Sequence, residues 1–205
     1  EMTLRAFDLS EKYQVPVLLR PCLRVCHARQ NVSLGSPRVP VDVGPFKKNW
    51  TRWAAIPRYR LVLHGELNEK LETIKREEPE ARPVLISQGS GNSTALITSG
   101  SVSSHVRDIV ASDHRLSSVA VYKVGLPFPV EAQAMQEIVD THRTTLVVEE
   151  TYPVLELQIR NRRNVMGRLS GHVPQQGELT PEIVEEIILK AVGEQPTDVQ
   201  PPKIK

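Results

Sequence analysis

A chain of 205 residues has room for one full domain and a smaller part beside it. With 40% hydrophobic and 24% charged residues it has the composition of an ordinary globular protein, and 26 basic against 24 acidic residues leave a net charge of only +2, which excludes a bulk nucleic-acid or membrane-surface role. No apolar run approaches the roughly 18 residues of a membrane span, no secretory signal is visible, and two cysteines, Cys22 and Cys26, supply no disulfide framework, so a reducing cytoplasm is the default location.

The chain opens inside a helical pattern that places Met2, Ala6, Leu9 and Tyr13 on one face, with no cap or lead-in loop before it. It ends in Gln195–Lys205, where three prolines and little apolar content read as a linker. Together these ends give the expectation of a piece taken from something longer. After the first helix, Val15-Pro16-Val17-Leu18-Leu19 is nearly continuous in apolar residues, as in a strand buried on both faces of a parallel sheet. Arg20, Cys22, Arg24, Cys26, His27 and Arg29 follow, just beyond the carboxyl end of that strand, where α/β folds place ligands. Residues 32–49 form a polar connection containing Pro and Gly. A helix follows with Leu67, Leu71 and Ile74 on one face, and with Glu66–Lys70 and Glu72–Arg76 at i,i+4 spacing, each pair worth about 0.3–0.5 kcal/mol on an exposed face. A charged run, 75–82, and a Ser/Gly-rich loop, 87–93, then mark a boundary.

From Thr94 the pattern alternates. Ala95–Thr98 reads as a strand, and Val102, Val106, Ile109 and Val110 as one face of a helix. Val119–Val124 is a second strand, Val130–Val139 a helix bounded by proline, and Thr145–Glu149 a third strand. Such alternation predicts βαβ crossovers, hence an α/β fold with a mostly parallel sheet flanked by helices. A short strand at Val165–Leu169 comes next. Thr180 then stands as an N-cap, with Pro181 at the first helical position, Glu182 at the positive end of the dipole, and Ile183, Ile187, Ile188 and Ala191 as the buried stripe.

Several of these runs carry a resemblance. Residues Ala6–Arg20, Arg24-Val25-Cys26-His27, the set Phe46, Lys48, Arg52-Trp53, Pro57, Arg60 and His64, and the runs Ile97–Gly100, Leu146–Glu150 and Gly177–Val184 resemble, in the right order, thiamine-diphosphate-dependent 2-oxoacid:ferredoxin oxidoreductases. Within that family the runs resemble the large (alpha) subunit of the indolepyruvate ferredoxin oxidoreductases. Cys22 and Cys26 stand where small hydroxyl residues are usual. The resemblance implies that 1–31 is the C-terminal end of a pyrimidine-binding domain and 32–93 an inter-domain linker with a helix. It also implies that 94–192 is a transketolase C-terminal-like α/β domain, with 193–205 a Pro-rich linker. It further implies a parent enzyme that oxidatively decarboxylates an aryl 2-oxoacid such as indolepyruvate to the acyl-CoA with reduction of ferredoxin. The parent would use thiamine diphosphate, Mg2+ and [4Fe-4S] clusters, none of them bound by this segment. Its partners would be the remaining domains of the subunit, a smaller beta subunit, ferredoxin and coenzyme A, with no nucleic acid and no membrane.

Residue chemistry adds little to that. Cys22-x-x-x-Cys26-His27 is one residue too long for haem attachment and too poor in ligands for structural zinc, and two cysteines four apart on a strand would be buried on one face. Gly89-x-Gly91 precedes a strand, whereas a phosphate loop must follow one. Ser99-Gly100-Ser101 has the strand–turn–helix context in which amides bind an anion, or simple capping would explain it. No Gly-x-Ser-x-Gly elbow and no paired histidines occur. Glu149-Glu150 closes a strand and is either functional, solvated or packed at a subunit contact. Arg24 and His27 are the candidate substrate-binding residues, a cationic pair able to meet a 2-oxoacid carboxylate, with a salt bridge to a neighbouring domain as the alternative.

Overall fold

A computed structural model describes residues 2–37, 39 and 44–195. The chain divides into two compact units, with the division between Thr73 and Ile74.

The N-terminal unit is helical. Helix α1 (Met2–Tyr13) buries Leu9 and Tyr13 from the predicted face, while Met2 stays largely exposed. Short helices α2 (Leu23–His27) and α3 (Trp50–Trp53) follow, α3 being capped by Asn49, whose side chain accepts from the amides of Thr51 and Arg52. Helix α4 (Pro57–Glu77) is the long helix expected of the connection. Its Glu66 pairs with Arg52 at 3.2 Å, and Lys70 donates to the carbonyl of Gln14 at 3.3 Å, so neither serves the i,i+4 pair that the spacing suggested.

Residues 15–19 depart from expectation. They form no strand, and Leu18 is 86% exposed. A parallel strand is held by ladder bonds to neighbours on its flanks, and among the described residues of this unit the regular elements are helices. Cys22 and Cys26 likewise lie on the α2 turn rather than on a strand face. Cys22 is half-buried and Cys26 exposed, which corrects their expected burial in a sheet.

The C-terminal unit carries the sheet. Strands β1 (Val84–Ser87), β2 (Thr94–Ser99), β3 (Val119–Val124), β4 (Thr144–Val148) and β5 (Val165–Met166) are ordered β1-β3-β2-β4-β5. All pair in parallel except β1, which runs antiparallel along β3 with a register shift between Leu85 and Ser87. β1 lies inside the stretch 32–93 that the sequence reads as a connection with a single helix. Residues 79–81 also dock here: the Glu80 carbonyl accepts from Gly125 and Leu126, and the Ala81 carbonyl from Glu131.

Period-two alternation along β2 sends Leu96 to one face and Ala95 and Ile97 to the other. On the first face Leu96, Val121, Leu146 and Val148 pack with helices α5 (Val102–Ser112) and α7 (Pro181–Val192). On the second, Ala95, Ile97 and Val147 pack with helix α6 (Ala132–Thr141) and with Leu155 and Ile159. The result is a three-layer α/β domain with the central strands sealed on both sides, as near-continuous apolar runs require. Helix α7 starts at Thr180 and Pro181 as read from sequence, and the Thr180 hydroxyl holds the Glu182 carboxyl below its ordinary value. It stops where Gly193 turns left-handed, at φ +82°, and donates to the Leu189 and Lys190 carbonyls. The linker expected at 193–205 falls almost wholly outside the described residues.

Candidate functional site at the carboxyl edge of the sheet

From β2 the chain leaves through α5 to β3 on one side, whereas β4 leads on to β5 on the other. The carboxyl ends of β2 and β4 therefore flank the topological switch point, where open parallel sheets bind ligands. The residues emerging there are Ser99-Gly100-Ser101 and Glu149-Glu150-Thr151.

The crevice is occupied by the chain's own side chains. Gly100 makes the turn into α5 at φ +68°. Ser101 Oγ donates to Glu150 Oε2 at 3.2 Å, and Glu150 Oε1 accepts from the amide of Leu179 at 3.1 Å. A carboxylate of this chain thus sits beside the positive end of α5, the position an external anion would take. Glu150 joins the end of β4, the start of α5 and the lead-in to α7.

Glu149 points the other way, as its neighbour on extended chain must. It is buried and accepts from the amide of Leu155 at 3.1 and 2.9 Å and from that of Glu156 at 3.0 Å. Burial pushes the Glu149 carboxyl above its ordinary value; the two amides oppose that shift and the nearby Glu156 carboxylate adds to it. Glu156 is itself buried, with Oε2 accepting from Leu169 at 3.1 Å. Its carboxylate occupies the space beside Gly167, where a Cβ would lie 2.5 Å from Oε2.

Arg168 locks the hub from the turn that follows β5. Its buried guanidinium donates from Nε to the Glu149 carbonyl at 3.0 Å, and from Nη1 to the Thr151 and Gln175 carbonyls, both at 2.9 Å. Thr151 is held at φ +74°, a sparsely populated conformation for a β-branched residue, and the Arg168 bond to its carbonyl helps to fix it there. Nη2 of Arg168 and Oγ1 of Thr98 are buried without a hydrogen-bond partner among the described residues. Sequence reasoning singled out Glu149-Glu150 but missed Arg168 and Glu156. Nothing local could have found them, because the hub is assembled from segments around 101, 149, 156, 168 and 179.

Arg24 and His27 lie elsewhere, on the single turn of α2, where i,i+3 spacing puts both exposed side chains on one face. They do not line the open groove of about 370 Å³ in the same unit, whose walls include Lys12, Tyr13, Glu69 and Lys70. Gly89 of the Ser/Gly loop packs against backbone: a Cβ there would meet the Ser118 carbonyl oxygen at 2.4 Å, so its role is close approach. Among the described residues no cluster of three or more His, Cys, Asp or Glu could hold a metal ion, and no helix is long and apolar enough to cross a membrane.

A mostly parallel α/β sheet with a self-filled carboxyl edge is the class of domain this defines, and its fold is shared with a 2-oxoacid:ferredoxin oxidoreductase. The solved 2-oxoglutarate:ferredoxin oxidoreductase from Magnetococcus marinus, with 2-oxoglutarate, coenzyme A and succinyl-CoA bound, superposes with a TM-score of 0.50 over 67% of this chain and 24% of that one, at 13% identity. Sequence narrows the relationship: the chain is a relative of one segment of the indolepyruvate oxidoreductase subunit IorA. It is 31% identical to that subunit from Methanothermobacter thermautotrophicus over 94% of its own length, and 33% identical to that from Thermococcus kodakarensis over the same share. With the subunit from Methanothermobacter marburgensis the identity is 32% over 92% of the chain. The chain spans about a third of the length of these relatives. No family model matches it.

Proposed function

We propose that this chain is the connecting part of a thiamine-diphosphate- and iron–sulfur-dependent enzyme of the cytoplasm. That enzyme oxidatively decarboxylates an aryl 2-oxoacid, indolepyruvate in the first instance, to the acyl-CoA and passes the electrons to ferredoxin. The observation that carries this reading is the similarity to IorA along more than nine-tenths of the chain. In this reading 1–31 ends a pyrimidine-binding domain, 32–93 joins it to the next, and 94–192 is the transketolase C-terminal-like domain. A smaller beta subunit completes the assembly.

The chain's own chemistry fits a role in joining and orienting. A [4Fe-4S] cluster takes four thiolates, and the chain has two cysteines, so it does not fit that group. The switch crevice, where a phosphate group could have been cradled, is spanned by Glu150, whose negative charge opposes a diphosphate. The hub of Glu149, Glu150 and Arg168 instead fixes three loops in one arrangement, which suits a domain that must present rigid surfaces to its neighbours. Arg24 is proposed to meet the substrate carboxylate with its guanidinium fork, with His27 beside it on the same turn.

The test is an assay of the full-length parent. Indolepyruvate-dependent ferredoxin reduction that requires coenzyme A and thiamine diphosphate is expected, while this chain alone shows no thiamine diphosphate binding by calorimetry. A parent inactive on every aryl 2-oxoacid, or micromolar cofactor binding by this chain, would refute the assignment.

A further inference from the structure

The opposite, amino edge of the sheet carries a group of four arginines, of which the fold engages the side chain of Arg162. Arg143 immediately precedes β4, and Arg160, Arg162 and Arg163 lead into β5; all four are exposed. The parallel register pairs Thr145 with Val165, so Arg143 and Arg163, each two residues upstream, flank the starts of adjacent strands about 5 Å apart. The Thr145 amide donates to the Asn164 carbonyl at 2.9 Å, which fixes the two segments side by side.

Arginines near a helix carboxyl terminus often serve to satisfy its last carbonyls, and α6 ends at this edge. Other groups already do that work. Thr141 Oγ1 bonds the Glu137 and Ile138 carbonyls, the His142 ring contacts the Ile138 carbonyl, and Asn164 Nδ2 donates to those of Val139 and His142. On α6, Asp140 accepts from a neutral donor, Gln136 Nε2, at 2.9 Å. Arg162 turns Nη1 onto the Ile159 carbonyl at 3.2 Å. The guanidinium groups of Arg143, Arg160 and Arg163 pair with no carboxylate among the described residues, whereas Arg52, Arg82, Arg107 and Arg115 all do.

We propose that Arg143, Arg160 and Arg163, with the charge of Arg162 behind them, form a docking surface for a carboxylate-rich face of another protein. Guanidinium forks match carboxylates bidentately and shed water more readily than ammonium groups. A phosphate polymer fits less well. The exposed aromatics Phe128 and Tyr152, on which bases could stack, follow the carboxyl ends of β3 and β4 at the other edge, away from these arginines. This inference is independent of the reaction proposed above, and goes beyond it.

Poly-L-glutamate is the probe, followed by fluorescence anisotropy on the whole chain at low and physiological salt. Wild type is expected to bind, more weakly as salt rises. Arg143→Glu/Arg160→Glu/Arg163→Glu should bind at least about tenfold more weakly, with its melting curve unchanged. The neutral pair Arg160→Gln/Arg163→Gln should fall between, which keeps the test open should the triple variant fold poorly. Arg107→Glu/Lys190→Glu, on α5 and α7, should stay within about twofold of wild type. Wild type failing to bind poly-glutamate, or a triple variant binding as wild type does, would overturn the proposal. Single-stranded DNA binding more tightly than poly-glutamate would reassign the surface to nucleic acid.

Discussion

Replacing Glu149 removes the acceptor for two buried amides. In Glu149→Ala the N–H groups of Leu155 and Glu156 lose bonds of 2.9–3.1 Å with no water-facing alternative. An unsatisfied buried donor costs about 1–3 kcal/mol, so two cost about 2–6 kcal/mol, and release from a desolvated charge returns part of that, leaving about 2–4 kcal/mol net. Glu149→Gln keeps one carbonyl oxygen for both amides and removes the charge, so its cost should be about 1 kcal/mol. The two proteins should also differ in pH dependence. Burial raises the folded-state pKa of Glu149 above the ordinary 4.5, so over that interval the folded state holds more protons than the unfolded. Stability from this group is therefore greatest below 4.5 and is lost as pH rises through the raised value. The lead of wild type over the Gln variant should therefore shrink as pH rises across that window. Urea melts of the three proteins by far-ultraviolet circular dichroism, from acid to neutral pH, measure both effects. An Ala variant within about 0.5 kcal/mol of wild type, or a pH-independent gap between wild type and the Gln variant, would refute the reasoning.

The two glycines of one loop should behave oppositely. Gly89→Ala drives a Cβ to 2.4 Å from the Ser118 carbonyl oxygen and 2.8 Å from the Ala120 nitrogen, both backbone atoms, and should cost about 1–3 kcal/mol. Gly91→Ala meets nothing within 4 Å and should be neutral or stabilising by up to about 1 kcal/mol; equal melts for the two would disprove the packing role of Gly89. In the full-length parent, Arg24→Ala should raise KM for the 2-oxoacid and cost about 2–4 kcal/mol in kcat/KM, with Arg24→Lys recovering only part. A lowered melting temperature with kcat/KM within a few-fold of wild type would make Arg24 an inter-domain contact instead.

What the sequence by itself determined is whatever follows from local period and punctuation. Apolar runs read at 95–98, 119–124 and 145–149 fall within a residue of the parallel strands β2, β3 and β4, and Thr180-Pro181 begins α7 where it should. Those signals are legible because burial on both faces demands continuous apolar strands and because caps act within one turn. Tertiary structure decided the rest. Val15–Leu19 has the composition of a central strand yet forms none, since a strand is made by its neighbours and this unit offers helices. Val84–Ser87 looked like connection and became an edge strand, because β3 was there to pair with it. Glu149 and Glu150 were visible as a pair, but their opposite tasks were not. Ser101, Leu155, Arg168 and Leu179, which define those tasks, are separated along the chain and meet only when the sheet closes around its switch point.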